Sequence, residues 1–434
     1  MNMFDLVKGF AGVVDMVNAT LAGHHLRVAG LVDRLGERLG LDGESRNLAT
    51  TAAMLHDIGV ITLRSRTDDL VFEADMSRHS RAGWMLLRTC RFLAREAEIV
   101  LRHHDDWSEA LKLPEEERRS GRLGNLVHLA DVVDVHSRTL RDPARLALSL
   151  RRGAGGAFEP ESVQAMLSLL EDKDFFDGLG EQAPLVELPS AAGDRTLFED
   201  QVVIFSKLFS HVIDARSPFT ASHSSGVALV ARLLHEMMEL PAEDRSSIFV
   251  AGLLHDIGKM GVPRELIEKA GALDELEFAA VKQHARISLE ALTAIPGFER
   301  LGFWGGLHHE RLSGQGYCRG FKGEAIPMEA RVIAVADVLT ALTEDRPYRA
   351  GLNDGQALKI LDEMAAENSL DADVVGVVHR HIGDISPMRA VAQKRAVSFL
   401  RGLTSDIQGA VGPEKLTPKL LRQSASSFQK PVRA

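Results

Sequence analysis

The feature that most constrains this chain is an internal repeat. The phrases GHHLRVAGLVDRL from Gly23 and SHSSGVALVARLL from Ser222 read alike. Each leads to a near-identical one, AAMLHDIG ending at Gly59 and VAGLLHDIG ending at Gly258. His24 to His56 spans 32 residues, as does His223 to His255, and the steps His79 to His103 and His284 to His308 are both 24. Each 24-residue step ends in a doublet, His103-His104 and His308-His309, followed by LADVV with Asp131 and VADVL with Asp337. With 17 histidines in 434 residues, one doublet decides nothing. Five histidines and two aspartates recurring in register mean that one domain occurs twice. The one large length difference lies between the His-Asp pair and the next histidine, 22 residues from Asp57 to His79 against 28 from Asp256 to His284.

The repeated unit is helical. Val227, Val230, Leu233, Leu234 and Met237 recur at three- and four-residue steps, as do Ile248, Ala251, Leu254 and Ile257, and strand-like alternation is nearly absent. The expected fold is all-α, two tandem helical bundles. The expected units are 1–185, a linker 186–197 inside the Pro- and Ala-rich EQAPLVELPSAAGDRT, a second bundle 198–386, and a basic, flexible tail 387–434. A net charge of −10 argues against broad nucleic-acid binding, which needs a basic footprint. Cys90 and Cys318 are the only cysteines, so no disulfide framework exists and a reducing cytoplasm is expected. No apolar run reaches 18 residues and the start MNMFDLVKGF carries no secretory pattern, so no membrane partner is expected. A homodimer is left open.

In the second half, His223, His255, Asp256, His284, His308, His309 and Asp337 fall on or beside apolar helical stretches. Histidines and carboxylates on the inward faces of a bundle are how all-α proteins build metal sites. Nitrogen and oxygen donors without thiolate favour divalent Fe, Mn, Ni or Zn, with Fe or Mn foremost. Adjacent residues on a helix point about 100° apart, so His255 and Asp256 share a site only over the helix shoulder. An aspartate so placed can bridge two ions, and seven donors with one bridging suit two metals per site. Such pairs, about 3.5–4 Å apart, serve phosphodiester hydrolysis. His25, His128, His136, His211, His235, His379 and His381 have no counterpart in the pattern and receive no role.

HDIGK, His255 to Lys259, resembles the signature of the HD phosphohydrolase superfamily. HHERLSGQGYCRG followed by EAIPMEARVIAVADVLTALTEDRPYR resembles the HD-GYP subfamily, the bacterial cyclic di-GMP phosphodiesterases. The resemblance covers roughly residues 200–381. It implies metal ligation by the same seven residues, with Asp256 and Lys259 catalytic and Lys259 meeting phosphate. It also implies substrate contacts from Tyr317, Arg346 and Arg349, and cyclic di-GMP as substrate. Members with three metals carry a Glu four residues before the first His; Phe219 stands here, which implies two. Gly-Tyr-Pro reads Gly316-Tyr317-Cys318, Ser313 replaces an Asp, and Thr340 stands where an Asp is common, so cyclic GMP-AMP is a rival substrate.

The first half resembles the wider HD superfamily, and His24, His56, Asp57, His79, His103, His104 and Asp131 form a candidate second metal site. Val60 replaces the Lys, and HHDDWSEALKLPEEERRSGR has no Gly-Tyr-Pro loop. A regulatory or dimerising domain is therefore expected here, ahead of a hydrolase for something else. Two further readings compete for the whole chain: a non-catalytic cyclic-dinucleotide sensor, and an HD hydrolase acting on a mononucleotide.

Overall fold

A computed structural model describes residues 1–17, 22–60, 77–139, 142–171, 195–215, 222–269, 271–345 and 350–409. The chain divides into two compact units, Asn2–Leu197 and Phe198–Ala434 together with Met1. Among the described residues every named element is helical, and β pairing is confined to isolated bridges, Asn2 with Thr196 and Ala154 with Phe158.

The first unit runs α1 (Met3–Asp15), α2 (His24–Arg38), α3 (Gly43–Leu55), α4 (Ser77–Leu87), α5 (Ala94–Leu101), α6 (Trp107–Ala110), α7 (Glu115–Thr139), α8 (Pro143–Gly153) and α9 (Pro160–Leu170). Local sequence fixes the helix starts. The Asn2 side chain accepts from the Phe4 amide at 2.8 Å and Asp42 accepts from the Ser45 amide at 2.7 Å, satisfying amides that no helical carbonyl reaches. α2 buries Val28, Leu31, Val32 and Leu35 against α3 and α7.

The second unit repeats that plan with α10 (Glu199–Ala215), α11 (His223–Met237), α12 (Arg245–Leu254), α13 (Arg264–Ile267), α14 (Glu275–Thr293), α15 (Glu299–Gly306), α16 (Met328–Thr343), α17 (Asp354–Ala366) and α18 (Ala372–Gly409). Capping boxes open α14 (Asp274 with Glu277) and α17 (Asn353 with Gln356). α11 is the central helix. It buries Val227, Val230, Leu233 and Leu234, the positions its periodicity marks, and packs on α12, α16 and α18.

Two expected boundaries differ from the structure. Arg195–Leu197 belong to the first unit rather than to a linker: Met3 N–H donates to the Arg195 carbonyl at 2.9 Å, Arg195 pairs with Glu96, and Leu197 is buried. Residues 186–194 lie outside the described residues. The expected tail from 387 instead continues α18 to Gly409. Its buried stripe passes straight through that point, with Val374, Val378, Ile385, Arg389, Gln393, Ala396, Leu400 and Leu403 at helical steps. Pro387 and Gly383, four residues earlier, are both exposed, so the helix carries the missing hydrogen bond on its solvent side. Residues 410–434 lie outside the described residues.

Candidate metal centres

In the second unit the seven expected donors converge from five segments. His223 opens α11, His255 and Asp256 follow the last residue of α12, His284 sits within α14, His308 and His309 follow α15, and Asp337 lies in α16. α12 stops at Leu254, and Asp256, at φ −97° and ψ 10°, leads into a short 3₁₀ turn, Ile257–Gly261. The expected shoulder of a continuous helix is therefore a helix end, and the chain break brings the His-Asp pair onto one site. The motif's glycine is sterically required. A Cβ at Gly258 would stand 2.0 Å from the His284 carbonyl oxygen, and one at Gly59 would stand 2.1 Å from that of His79. Only glycine lets the turn press against the helix that carries the next histidine.

Asp256 lies between two clusters. Its Oδ2 is 3.2 Å from His255 Nε2, and its Oδ1 is 3.3 Å from His284 Nε2 and 3.9 Å from His308 Nε2. His223 Nε2 is 3.1 Å from Asp337 Oδ1. The donor atoms of His223, His255 and Asp256 lie within 4.8 Å of one another, as do those of His284, His308 and His309.

The imidazoles are oriented from behind. Nδ1 of His255, His284 and His308 donates to the carbonyl three residues earlier, of Gly252 (2.8 Å), Val281 (2.7 Å) and Gly305 (2.6 Å). That tautomer leaves each Nε2 lone pair facing the site. His255 Nε2 and Asp256 Oδ1 are buried without a hydrogen-bond partner, although other donor atoms stand close by. Buried polar atoms rarely go unpaired, and convergent lone pairs of this kind are what a cation satisfies. The nitrogen and oxygen donor set fits borderline-to-hard divalent ions.

Electrostatics divide the donors: burial would lower His223, but Glu344 and Asp337 raise it to about 10. Burial keeps His309 neutral, lowering it to about 3, and lowers His308 well below the usual histidine range. Neutral imidazoles are the ligating form. Burial would raise the Asp256 carboxyl, yet Lys259 and His255 hold it well below the carboxylate range. Lys259 Nζ donates to Asp256 Oδ2, so this lysine lies at the site rather than on the surface.

The loop after His309 is built on Glu310. Its buried carboxylate accepts the amides of Arg319 (2.6 Å) and Gly320 (3.0 Å), while Tyr317 N–H donates to the His309 carbonyl at 3.2 Å. The Tyr317 ring lies 4.7 Å from the His309 ring. Cys318, in the proline's place, packs against the cluster of Leu289, Leu307, Ile326 and Ala330. Arg346, Arg349 and Phe219 lie outside the described residues.

The first unit gathers its seven donors in the same way. Asp57 Oδ2 is 3.2 Å from His56 Nε2 and 4.0 Å from His24 Nε2, while Oδ1 is 3.3 Å from His79 Nε2 and 3.7 Å from His103 Nε2. Asp131 Oδ1 lies 3.4 Å from His24 Nε2, and His104 Nε2 lies 2.9 Å from His79 Nε2. His56 and His103 donate from Nδ1 to the carbonyls of Ala53 and Val100. Burial raises the Asp57 carboxyl, but His56 and His103 pull it well below its usual range without any lysine.

Several supporting residues escaped the sequence reading. Asp134 accepts from His24 Nδ1 at 2.8 Å, and Glu344 from His223 Nδ1 at 3.2 Å. His25, given no role, pairs with Asp15 and lies close to His56 and Asp57; its counterpart Ser224 donates to Asp214 at 2.7 Å. The equal ten-residue offsets, Asp15 to His25 and Asp214 to Ser224, were a usable signal.

Residues 21–135 and 207–374 each match the HD domain family. A 3'3'-cGAMP-specific phosphodiesterase 1 of Vibrio cholerae is 30% identical over 387 residues, covering 86% of this chain and 90% of that protein. A cyclic di-GMP phosphodiesterase response regulator of Xanthomonas campestris is 35% identical over 205 residues, 46% of this chain and 54% of that protein. A crystal structure of a cyclic GMP-AMP-specific phosphodiesterase from V. cholerae matches the fold, with TM-score 0.62 and 24% identity over 88% of this chain and 98% of that one. Among the described residues no helix is long and apolar enough to cross a membrane. Two HD domains in register, each with its donors drawn together, and a relative matched along nearly its whole length lead to one conclusion: the chain belongs to the HD-domain cyclic dinucleotide phosphodiesterases, with two HD domains in tandem.

Proposed function

We propose that the second unit hydrolyses a cyclic dinucleotide at a two-metal centre, with 3'3'-cGAMP the substrate best supported and cyclic di-GMP its rival. The observation that carries this reading is Asp256, one oxygen turned to each of two donor clusters, with Lys259 on the same carboxylate. His223, His255, Asp256 and Asp337 would hold one ion and Asp256, His284, His308 and His309 the other, with Fe or Mn the ions the donor set favours. A pair of divalent ions, when bound, supplies Lewis-acid charge for in-line attack by water on the phosphodiester.

The chain's own residues do the rest. Lys259 holds a fixed cation beside Asp256, where it meets negative charge that grows on the phosphoryl oxygens. Tyr317, its amide tied to the His309 carbonyl and its ring tilted against the His309 ring, offers a face to a base. Arg346 and Arg349 would clamp the phosphates in bidentate fashion. Breaking one ring P–O bond gives the linear dinucleotide, and a second cleavage gives mononucleotides.

The name of the relative matched along 90% of its own length favours cGAMP, whereas the RPYR and Gly-Tyr motifs first suggest cyclic di-GMP. The first unit keeps its donors but lacks the lysine and the Glu310-braced loop, which supports a regulatory metal-binding domain. The test is anaerobic purification under reducing conditions, metal analysis, and product analysis with both dinucleotides. Metal-dependent ring opening, faster with cGAMP, is expected. A metal-loaded protein that binds either dinucleotide and cleaves neither would favour the sensor reading.

A further inference from the structure

The two units solve one problem differently. In the first, the carboxylate behind His24 is Asp134, three residues after Asp131 on α7, and Arg27 holds it with Nε–H donating at 2.6 Å and an Nη2–H at 3.0 Å. In the second, both positions have changed: Thr340 stands three residues after Asp337, and Gly226 stands where Arg27 stands, three residues after the first histidine. Thr340 Oγ1 is buried without a hydrogen-bond partner, so the threonine does not replace the lost acid.

The carboxylate has moved one turn along the chain. Glu344, immediately after α16, places Oε2 3.2 Å from His223 Nδ1. Its counterpart position in the first unit, seven residues after Asp131, is Arg138. The support has moved too. Gln393 on α18 donates from Nε2 to Glu344 Oε2 at 3.3 Å, and Arg389 donates to Gln393 Oε1 at 2.9 Å. All three side chains are buried. Gly226 makes the room, since a Cβ there would lie 2.8 Å from Thr340 Cγ2 and 3.1 Å from Gln393 Cδ.

We propose that Glu344, held by Gln393, is the positioning residue for His223, and that α18 is thereby an integral part of the second metal centre. A carboxylate behind a ligating imidazole fixes its tautomer and raises its basicity, and losing it costs ten- to a hundred-fold in metal affinity. The inference rests on the metal centre proposed above and assigns to a segment beyond residue 386 a direct effect on it.

The test measures Mn²⁺ affinity by chelator competition in full-length protein carrying His56→Ala and Asp57→Ala, so that binding reports the second unit. Glu344→Ala should weaken Mn²⁺ binding about ten- to a hundred-fold, and Gln393→Leu should weaken it several-fold. Adding Thr340→Asp to Glu344→Ala supplies a carboxylate at the first unit's position, without the arginine that holds Asp134, and should recover part of the loss. A purely structural role for Glu344 would not be restored from a different backbone position. Glu344→Gln, nearly the same shape, supplies the reading if the alanine variant does not fold. Folded Glu344 variants that bind Mn²⁺ like the parent, or a loss that Thr340→Asp leaves untouched, would overturn the proposal. A parent that binds no Mn²⁺ would overturn the metal centre itself, and this inference with it.

Discussion

The two HD units bring the same seven residue types together in a similar arrangement, and they part company one layer further out. Three residues after the aspartate of the His-Asp pair stands Lys259 in the second unit and Val60 in the first. After the histidine doublet, Glu310 turns its carboxylate onto two loop amides, whereas Asp105 pairs with Arg102 at 3.2 Å. Behind the first histidine stand Glu344 and Asp134 respectively. The donor scaffold depends on a helix end, a glycine and tied imidazoles. Substrate capture, in the proposal above, draws on Lys259 and the loop tied to Glu310. The first unit keeps the converging donors without either of those groups.

The largest effect is expected at Asp256 and its counterpart Asp57. Asp256→Ala should reduce cyclic dinucleotide hydrolysis by at least about a thousand-fold, roughly 4 kcal/mol of barrier, and lower the metal content. His56→Ala with Asp57→Ala should leave that activity within a few-fold. Steady-state kinetics with metal analysis decide, and equal losses would show that the two units act as one. Next come the glycines. Gly258→Ala and Gly59→Ala should each destabilise their own unit by about 1–3 kcal/mol through overpacking, read by urea unfolding. Only Gly258→Ala should also abolish hydrolysis.

A smaller effect is expected at the groups only the second unit has. Lys259→Val makes that site resemble the first, and kcat should fall about ten- to a hundred-fold, the value of a charge-assisted hydrogen bond, with metal retained. Arg346→Ala should instead raise KM by a similar factor through loss of a phosphate contact, and keep the metal, because guanidinium cannot be a metal ligand. Loss of metal in either variant would mean that scaffold and recognition are not separable. The smallest change is expected from Cys318→Pro, which restores the usual loop residue. KM should shift only about two- to five-fold, the scale of a backbone-entropy effect, and the ratio of cGAMP to cyclic di-GMP turnover shows whether this position tunes the base.

Much of this was legible in the chain itself. The repeat fixed the duplication, the three- and four-residue periodicity of Val227, Val230, Leu233 and Leu234 fixed the helices, and the register of five histidines and two aspartates marked the donors. These are local or strictly periodic signals, and helical packing and ligation both act through them. Three things needed the tertiary structure. Glu344 and Gln393 come from segments 121 and 170 residues beyond His223 (344 − 223 and 393 − 223), so no spacing links them to it. Pro387 and the run of basic residues after it suggest a helix stop and a solvated tail, and only packing against α11 shows that the stripe from Ile385 to Leu403 is buried. The orientation of Asp256 depends on α12 ending at Leu254, which Gly258 permits by its contact with α14. Periodic sequence determines which face of each helix is inward, because burial of that face is common to every helix. Which buried groups meet is decided only when separate helices pack, because their meeting depends on crossing geometry that no single segment encodes.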